Sequence, residues 1–322
     1  MNPALTLAEL TAAADEVHAV LPATPQYVWP LLCERVGAEV WVKHENHLPV
    51  GAFKVRGGLT LMRSLAAAGV RHVIAATRGN HGQSVAFAAR RFGVGATIVV
   101  PEGNSPEKNA AMRALGAELV VRGRDFQESL ELAHGIASQT GAHFLPSFSM
   151  DLVRGVASYA LELFGAAGAL DVVYVPIGLG SGICGVVAAR DALGLRTEVV
   201  GVVAERAACY AQSFAAGRAI ATESADTVAD GIACRVPNEE ALAIILRRVS
   251  RVVTVTEEEI RSAVCHYFTD THNVAEGAGA APLAAALAEG ARVRGRRIGL
   301  VLSGGNVDLA LFRDIARTAS AP

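Results

Sequence analysis

The sequence predicts an α/β protein of two lobes, each a mostly parallel sheet covered by helices on both faces. Three observations carry this expectation. Short β-branched apolar runs alternate with alanine-rich helical stretches along the 322 residues. The strand-like runs are apolar on both faces, as in parallel sheets buried between helices. Glycine-rich segments close strands and open helices, the places where such sheets bind ligands. The length favours two compact units over one.

In chain order, strands are expected over 39–43, 72–77, 97–101, 118–121, 171–176, 198–204, 252–255 and 298–303. Between them, helical patterns fall over 83–92, 105–115, 125–138, 152–164 and 182–193. Repeats, low-complexity tracts and a long linker are absent. A smaller lobe over 51–148 and a larger one over 1–50 plus 149–322 are expected.

The net charge of −2 and an apolar fraction of 52% argue against a nucleic-acid binder and against disorder. No basic segment precedes an apolar core at the N-terminus, and no apolar stretch is long enough to span a bilayer. Cys33, Cys184, Cys209, Cys234 and Cys265 are scattered and odd in number, with no CxxC pair. Reduced thiols in a cytoplasmic protein are therefore expected.

Three lysines stand among 26 arginines. Arginine is never deprotonated in proteins and forms no stable imine with an aldehyde; a desolvated lysine does both. Lys54, after Phe53 and two residues before Arg56, is a candidate imine-forming lysine. Taken alone it also reads as a lysine that starts a helix. Three glycine-rich segments follow strands: Thr77-Arg78-Gly79-Asn80-His81-Gly82-Gln83, Gly178-Leu179-Gly180-Ser181-Gly182 and Ser303-Gly304-Gly305-Asn306. The second can wrap backbone N–H groups around a phosphate at a helix start, and it lacks the Lys-Ser/Thr end of a Walker A loop. The first suits a carboxylate. Each, alone, also reads as a structural turn or capping network.

Together and in this order, the segments resemble the pyridoxal-phosphate enzymes of fold type II (tryptophan synthase β-like), in the threonine/serine dehydratase branch. Ala52-Phe53-Lys54-Val55-Arg56-Gly57-Gly58 is similar to that branch's Ser-Phe-Lys-x-Arg-Gly-Ala. Residues 77–83 are similar to its Ser-x-Gly-Asn-His-x-Gln, and 178–182 to its tetraglycine loop. Ala229-Asp230-Gly231-Ile232-Ala233 and 303–306 also resemble family segments, and the resemblance covers nearly the whole chain.

The resemblance implies two three-layer lobes with pyridoxal 5′-phosphate between them. Lys54 would hold the cofactor as an imine and move the α-proton. Phe53 would pack on the ring, Asn80 would bond its 3′-oxygen, and Gly178, Leu179, Gly180, Ser181 and Gly182 would bind the phosphate. Ser303 would face the pyridine nitrogen. The backbone of Thr77, Arg78, Gly79, Asn80 and His81 would hold the substrate carboxylate. A serine protonates that nitrogen poorly, so the ring is a weak electron sink. That favours β-elimination, a 3-hydroxy amino acid giving a 2-oxo acid and ammonia. A racemase or β-replacement synthase is the alternative in the same class. A non-catalytic nucleotide- or ligand-binding protein is the alternative outside it. A homodimer is the family expectation.

Four departures qualify the match. Ala52 replaces a serine that would contact the phosphate. Leu179 and Ser181 interrupt the tetraglycine, Ser181 adding a hydroxyl. Arg78 stands where related serine racemases carry a serine that serves as second proton-transfer base, which disfavours racemisation. Arg78 would either read a substituent on the substrate or pair with an acid. Glu205 lacks a partnering Asp, so no metal site is expected. His44-Glu45-Asn46-His47 lacks HExxH spacing and is expected as a surface loop at a strand end. Asp230 and Glu276 sit in loop contexts from which they could line the cleft; solvated or helix-capping roles are the expectation for both. The 322 residues leave no room for the C-terminal regulatory domain of the biosynthetic dehydratases, and control by isoleucine is not expected.

Overall fold

The computed structural model describes residues 5–318. The strands are β1 (Gln26–Val28), β2 (Glu39–His44), β3 (His72–Ala76), β4 (Gly95–Val100), β5 (Glu118–Val121), β6 (His143–Phe144), β7 (Val172–Pro176), β8 (Glu198–Ala204), β9 (Arg251–Val255) and β10 (Arg297–Leu302). The larger sheet is ordered β1-β2-β10-β7-β8-β9. It is parallel except where β1 pairs with β2. The smaller sheet, β5-β4-β3-β6, is parallel throughout. All eight expected strands are present. The two additional ones, β1 and β6, span three and two residues and are too short for a periodic signal.

Burial on both faces explains the apolar runs. On β7, Val172 and Tyr174 enter one core, with helices Glu257–Thr271 and Gly277–Glu289. Val173 and Val175 enter the opposite core, with helices Met150–Ala167 and Ser181–Ala192. On β3, Val73 and Ala75 face helices Lys54–Ala67 and Asn80–Phe92, while Ile74 and Ala76 face helix Phe126–Thr140. Each lobe is thus three layers deep. The small-lobe core extends past 51–148: Val17, Leu21, Leu48, Val50 and Leu152 also pack into it. No helix among the described residues is long and apolar enough to cross a membrane.

Two features hold helix Lys54–Ala67 against the larger lobe. The first is a backbone crossing with helix Met150–Ala167. A Cβ on Gly57 would lie 2.6 Å from the Leu152 carbonyl oxygen, and one on Gly155 would lie 2.4 Å from that of Arg56. The second is a buried ion cluster. Arg56 donates to both oxygens of Glu45, at 2.6 and 2.9 Å, and to Ser158 Oγ at 2.9 Å. It also reaches both oxygens of Glu162, which pairs in turn with Lys43. Burial raises the Glu162 carboxyl, but the facing Arg56 and Lys43 cations outweigh it and hold the group down at about 2. His44 and Glu45 are completely buried while Asn46 is half-buried and His47 exposed, so only the far end of 44–47 lies at the surface. The Glu45 carboxylate is what receives Arg56.

Candidate active site

Lys54 occupies the first turn of its helix, after Phe53. Its side chain lies in the cleft between the lobes, half-buried, and Nζ donates to Ser181 Oγ at 3.4 Å. Desolvation brings the ammonium down to about 8, against the opposing pull of Cys234 and Glu276. Arg56, although near in sequence, turns its guanidinium into the ion cluster. The Phe53 ring lies 5.3 Å from Lys54 Nζ and edge-on to Tyr159, whose hydroxyl donates to the Gly182 carbonyl at 3.0 Å.

The second glycine segment is a backbone cradle at the start of helix Ser181–Ala192. Gly180 has φ +104°, a left-handed conformation open to glycine. A Cβ on it would lie 2.5 Å from that of Ala241, and one on Gly178 would lie 2.4 Å from the Gly231 carbonyl oxygen. A side chain at either position would collide with these neighbours and displace the loop. The Leu179 carbonyl accepts from Tyr210 at 3.1 Å, which fixes the loop from behind. Ser181 is buried with its hydroxyl toward Lys54.

The first segment opens helix Asn80–Phe92, three residues earlier than its apolar pattern predicts. The Thr77 hydroxyl accepts from the Gly79 N–H at 3.0 Å. Arg78 is exposed at the edge of the segment. His81 is buried, and neither ring nitrogen has a hydrogen-bond partner. Burial and the neighbouring Lys54 lower it to about 3, so it is a neutral imidazole.

The third segment lies against the Lys54 turn. The Ser303 carbonyl accepts from the Phe53 N–H at 3.0 Å, Ala52 bridges Gly304, and the Gly305 N–H donates to the Gly51 carbonyl at 2.9 Å. All three segments and Lys54 therefore converge on one cleft.

One side chain in this cleft, Glu276, differs from expectation, whereas Asp230 is exposed as expected. Glu276 is neither solvated nor a side-chain cap. It is buried, accepts from Asn80 Nδ2 at 2.7 Å, and is pushed up to about 7 by desolvation, with Lys108 and Asn80 pulling the other way. Asp230 pairs at 2.8 Å with Lys108, a buried lysine beside Gly79. Lys108, Ser105 and Glu107 all come from the start of one helix, Pro106–Ala114, and its N-cap. They reach Asp230, Asp308 and the Leu309 N–H across the cleft. Lys43, Lys54 and Lys108, all the lysines of the sequence, thus have interior positions. That scarcity was the signal by which Lys108 could have been found. Among the described residues no group of three or more His, Cys, Asp or Glu side chains is placed to hold a metal ion.

These features fit pyridoxal phosphate. A depressed lysine, a side-chain-free cradle at a helix N-terminus and an unsatisfied buried imidazole share one cleft. Comparison with known proteins agrees. The family model described as pyridoxal-phosphate dependent enzyme matches residues 21–304. An L-threonine ammonia-lyase of Thermotoga maritima is 35% identical over 310 residues, covering 96% of this chain and 77% of that protein. An L-threo-3-hydroxyaspartate ammonia-lyase of Saccharomyces cerevisiae is 30% identical, with 95% of each chain covered. The structure of the processed form of threonine deaminase isoform 2 from Solanum lycopersicum superposes with a TM-score of 0.90 at 27% identity, covering 99% of this chain and 96% of that one. The chain belongs to the pyridoxal-phosphate dependent enzyme family, in its fold type II threonine/serine dehydratase branch.

Proposed function

We propose that this protein is a pyridoxal-phosphate-dependent ammonia-lyase. It removes the β-hydroxyl of a 3-hydroxy amino acid and releases a 2-oxo acid and ammonia. The observation that carries the reading is Lys54, depressed to about 8 beside the Ser181 helix start. When bound, the cofactor supplies an electron sink that makes the substrate α-proton acidic. Lys54 Nζ holds the cofactor and then moves that proton; its lowered affinity for protons makes it a base near neutral pH. Gly178, Leu179, Gly180, Ser181 and Gly182 take the phosphate with backbone N–H groups, the helix dipole and the Ser181 hydroxyl. Phe53 would cover the ring, Asn80 would donate to the ring oxygen, and Ser303 would meet the pyridine nitrogen without adding charge.

The backbone of Thr77, Arg78, Gly79, Asn80 and His81, at the start of its own helix, receives the substrate carboxylate. Arg78 stands at the edge of this segment and reads the β-substituent. Racemisation would require a second base here, and arginine does not supply one. The lobes are assigned as 51–148 and the remainder, the protein as a homodimer, and its residence as cytoplasmic; five free cysteines support the last.

The test is release of 2-oxo acid and ammonia from L-threonine, L-serine, threo-3-hydroxyaspartate and threo-3-phenylserine. Turnover of at least one is expected, with none in Lys54→Ala. Preference for hydroxyaspartate would assign Arg78 to a second carboxylate. A yellow protein inert toward all four would reject the ammonia-lyase reading.

A further inference from the structure

We propose that Glu276 is a positioning residue: with Asn306 it fixes the amide of Asn80, leaving one Nδ2 hydrogen free for the cofactor's ring oxygen. The inference rests on the reading above, in which Asn80 meets that oxygen. The ordering starts at a backbone carbonyl, which only accepts. Asn306 Nδ2 donates to the Val50 carbonyl at 2.8 Å and to Asn80 Oδ1 at 2.8 Å. Both hydrogens of that nitrogen are used, so the Asn306 amide has one orientation. Asn80 Oδ1 is then the acceptor, and Asn80 Nδ2 is the group that meets Glu276 Oε1, at 2.7 Å. A flipped Asn80 would set N–H₂ against N–H₂ at one end and oxygen against carboxylate at the other. One hydrogen of Asn80 Nδ2 remains unassigned, on a residue that is only half-buried.

Glu276 is itself tightly held. Its backbone N–H donates to the Gly304 carbonyl at 3.1 Å, and a Cβ on Gly304 would lie 2.6 Å from Oε1. The Asn306 backbone N–H faces its carboxyl and favours the ionised form. The charged groups facing it are Lys108 and Lys54, which favour ionisation, and Asp230, which opposes it. An ionised Glu276 makes a charge-assisted bond to Asn80; a protonated one accepts more weakly. The hold on Asn80 therefore tightens as the carboxyl loses its proton.

The experiment titrates the cofactor absorbance of the holoenzyme across neutral pH, in wild type and in Glu276→Gln, which retains the volume and an acceptor but cannot ionise. Wild type is expected to show a spectral transition near 7 that the variant lacks. The variant's dissociation constant for pyridoxal phosphate should rise roughly tenfold. Asn306→Ala, which frees the other end of the amide, serves if Glu276→Gln does not fold. It should weaken the cofactor by a similar factor, and unchanged affinity would overturn the proposal. So would the same transition and affinity in wild type and Glu276→Gln. Borohydride treatment separates this failure from failure of the functional reading. If wild type carries no cofactor fixed to Lys54, both fall; if it carries cofactor but Glu276→Gln titrates alike, only the role of Glu276 falls.

Discussion

A lysine that must give up its proton near neutral pH has to sit where its charge is poorly solvated, and the fold bears that cost. For Lys54 the cost is desolvation, which lowers the ammonium from its ordinary 10.5 to about 8. Because the folded state binds fewer protons than the unfolded state between those values, stability rises with pH through that window. Below pH 8 the full penalty is present. Replacing Lys54 with Met removes the buried charge at similar volume. The cofactor-free variant should therefore be more stable than wild type at pH 7, by on the order of 1–3 kcal/mol. The difference should shrink toward pH 10. Urea unfolding of both proteins at the two pH values measures it, and a Lys54→Met protein less stable at pH 7 would reject the desolvation account.

Among the elements, the crossing of helices Lys54–Ala67 and Met150–Ala167 sets where that lysine points. The backbones meet at Gly57 and Gly155, where a methyl group on either would press on a carbonyl oxygen of the other helix. Gly155→Ala should cost about 1–3 kcal/mol by forcing the helices apart. The strain falls beside Arg56, two residues from Lys54, so turnover should drop by more than the folded fraction does. Comparing Tm with kcat in the same preparations checks this, and a full-activity Gly155→Ala variant would show that the spacing does not matter. At this scale the sequence was easiest to read. Strands such as β7 announce themselves because both faces are buried, and the glycine segments because glycine follows a strand and opens a helix. Asn80, Glu276 and Asn306 lie far apart in sequence and become neighbours only through packing. The same holds for Lys108 and Asp230. In 44–47 the polar letters concealed a burial that depends on Arg56, Ser158 and Glu162, contributed by two other helices.

At the scale of the whole molecule, the larger sheet ends at β1, a three-residue strand that leaves its outer edge unpaired among the described residues. An open edge is ordinarily protected by charge or by covering chain. Here Tyr27 and Val28 on the strand are 49% and 40% exposed, and Leu31 on the following helix is 55% exposed. Tyr27 stacks edge-on against Trp29, and both rings approach His44, giving a semi-rigid aromatic surface. Such a surface suits a self-complementary contact, where the same patch is used twice across a two-fold axis. The proposed homodimer should therefore bury this edge. Sedimentation equilibrium of wild type should give the mass of two chains at micromolar concentration. Leu31→Arg, which sets a charge at the exposed site without touching the cleft, should raise the dimer dissociation constant by roughly tenfold or more. A monomeric wild type would reject the dimer. A dimer indifferent to Leu31→Arg would move the interface away from β1.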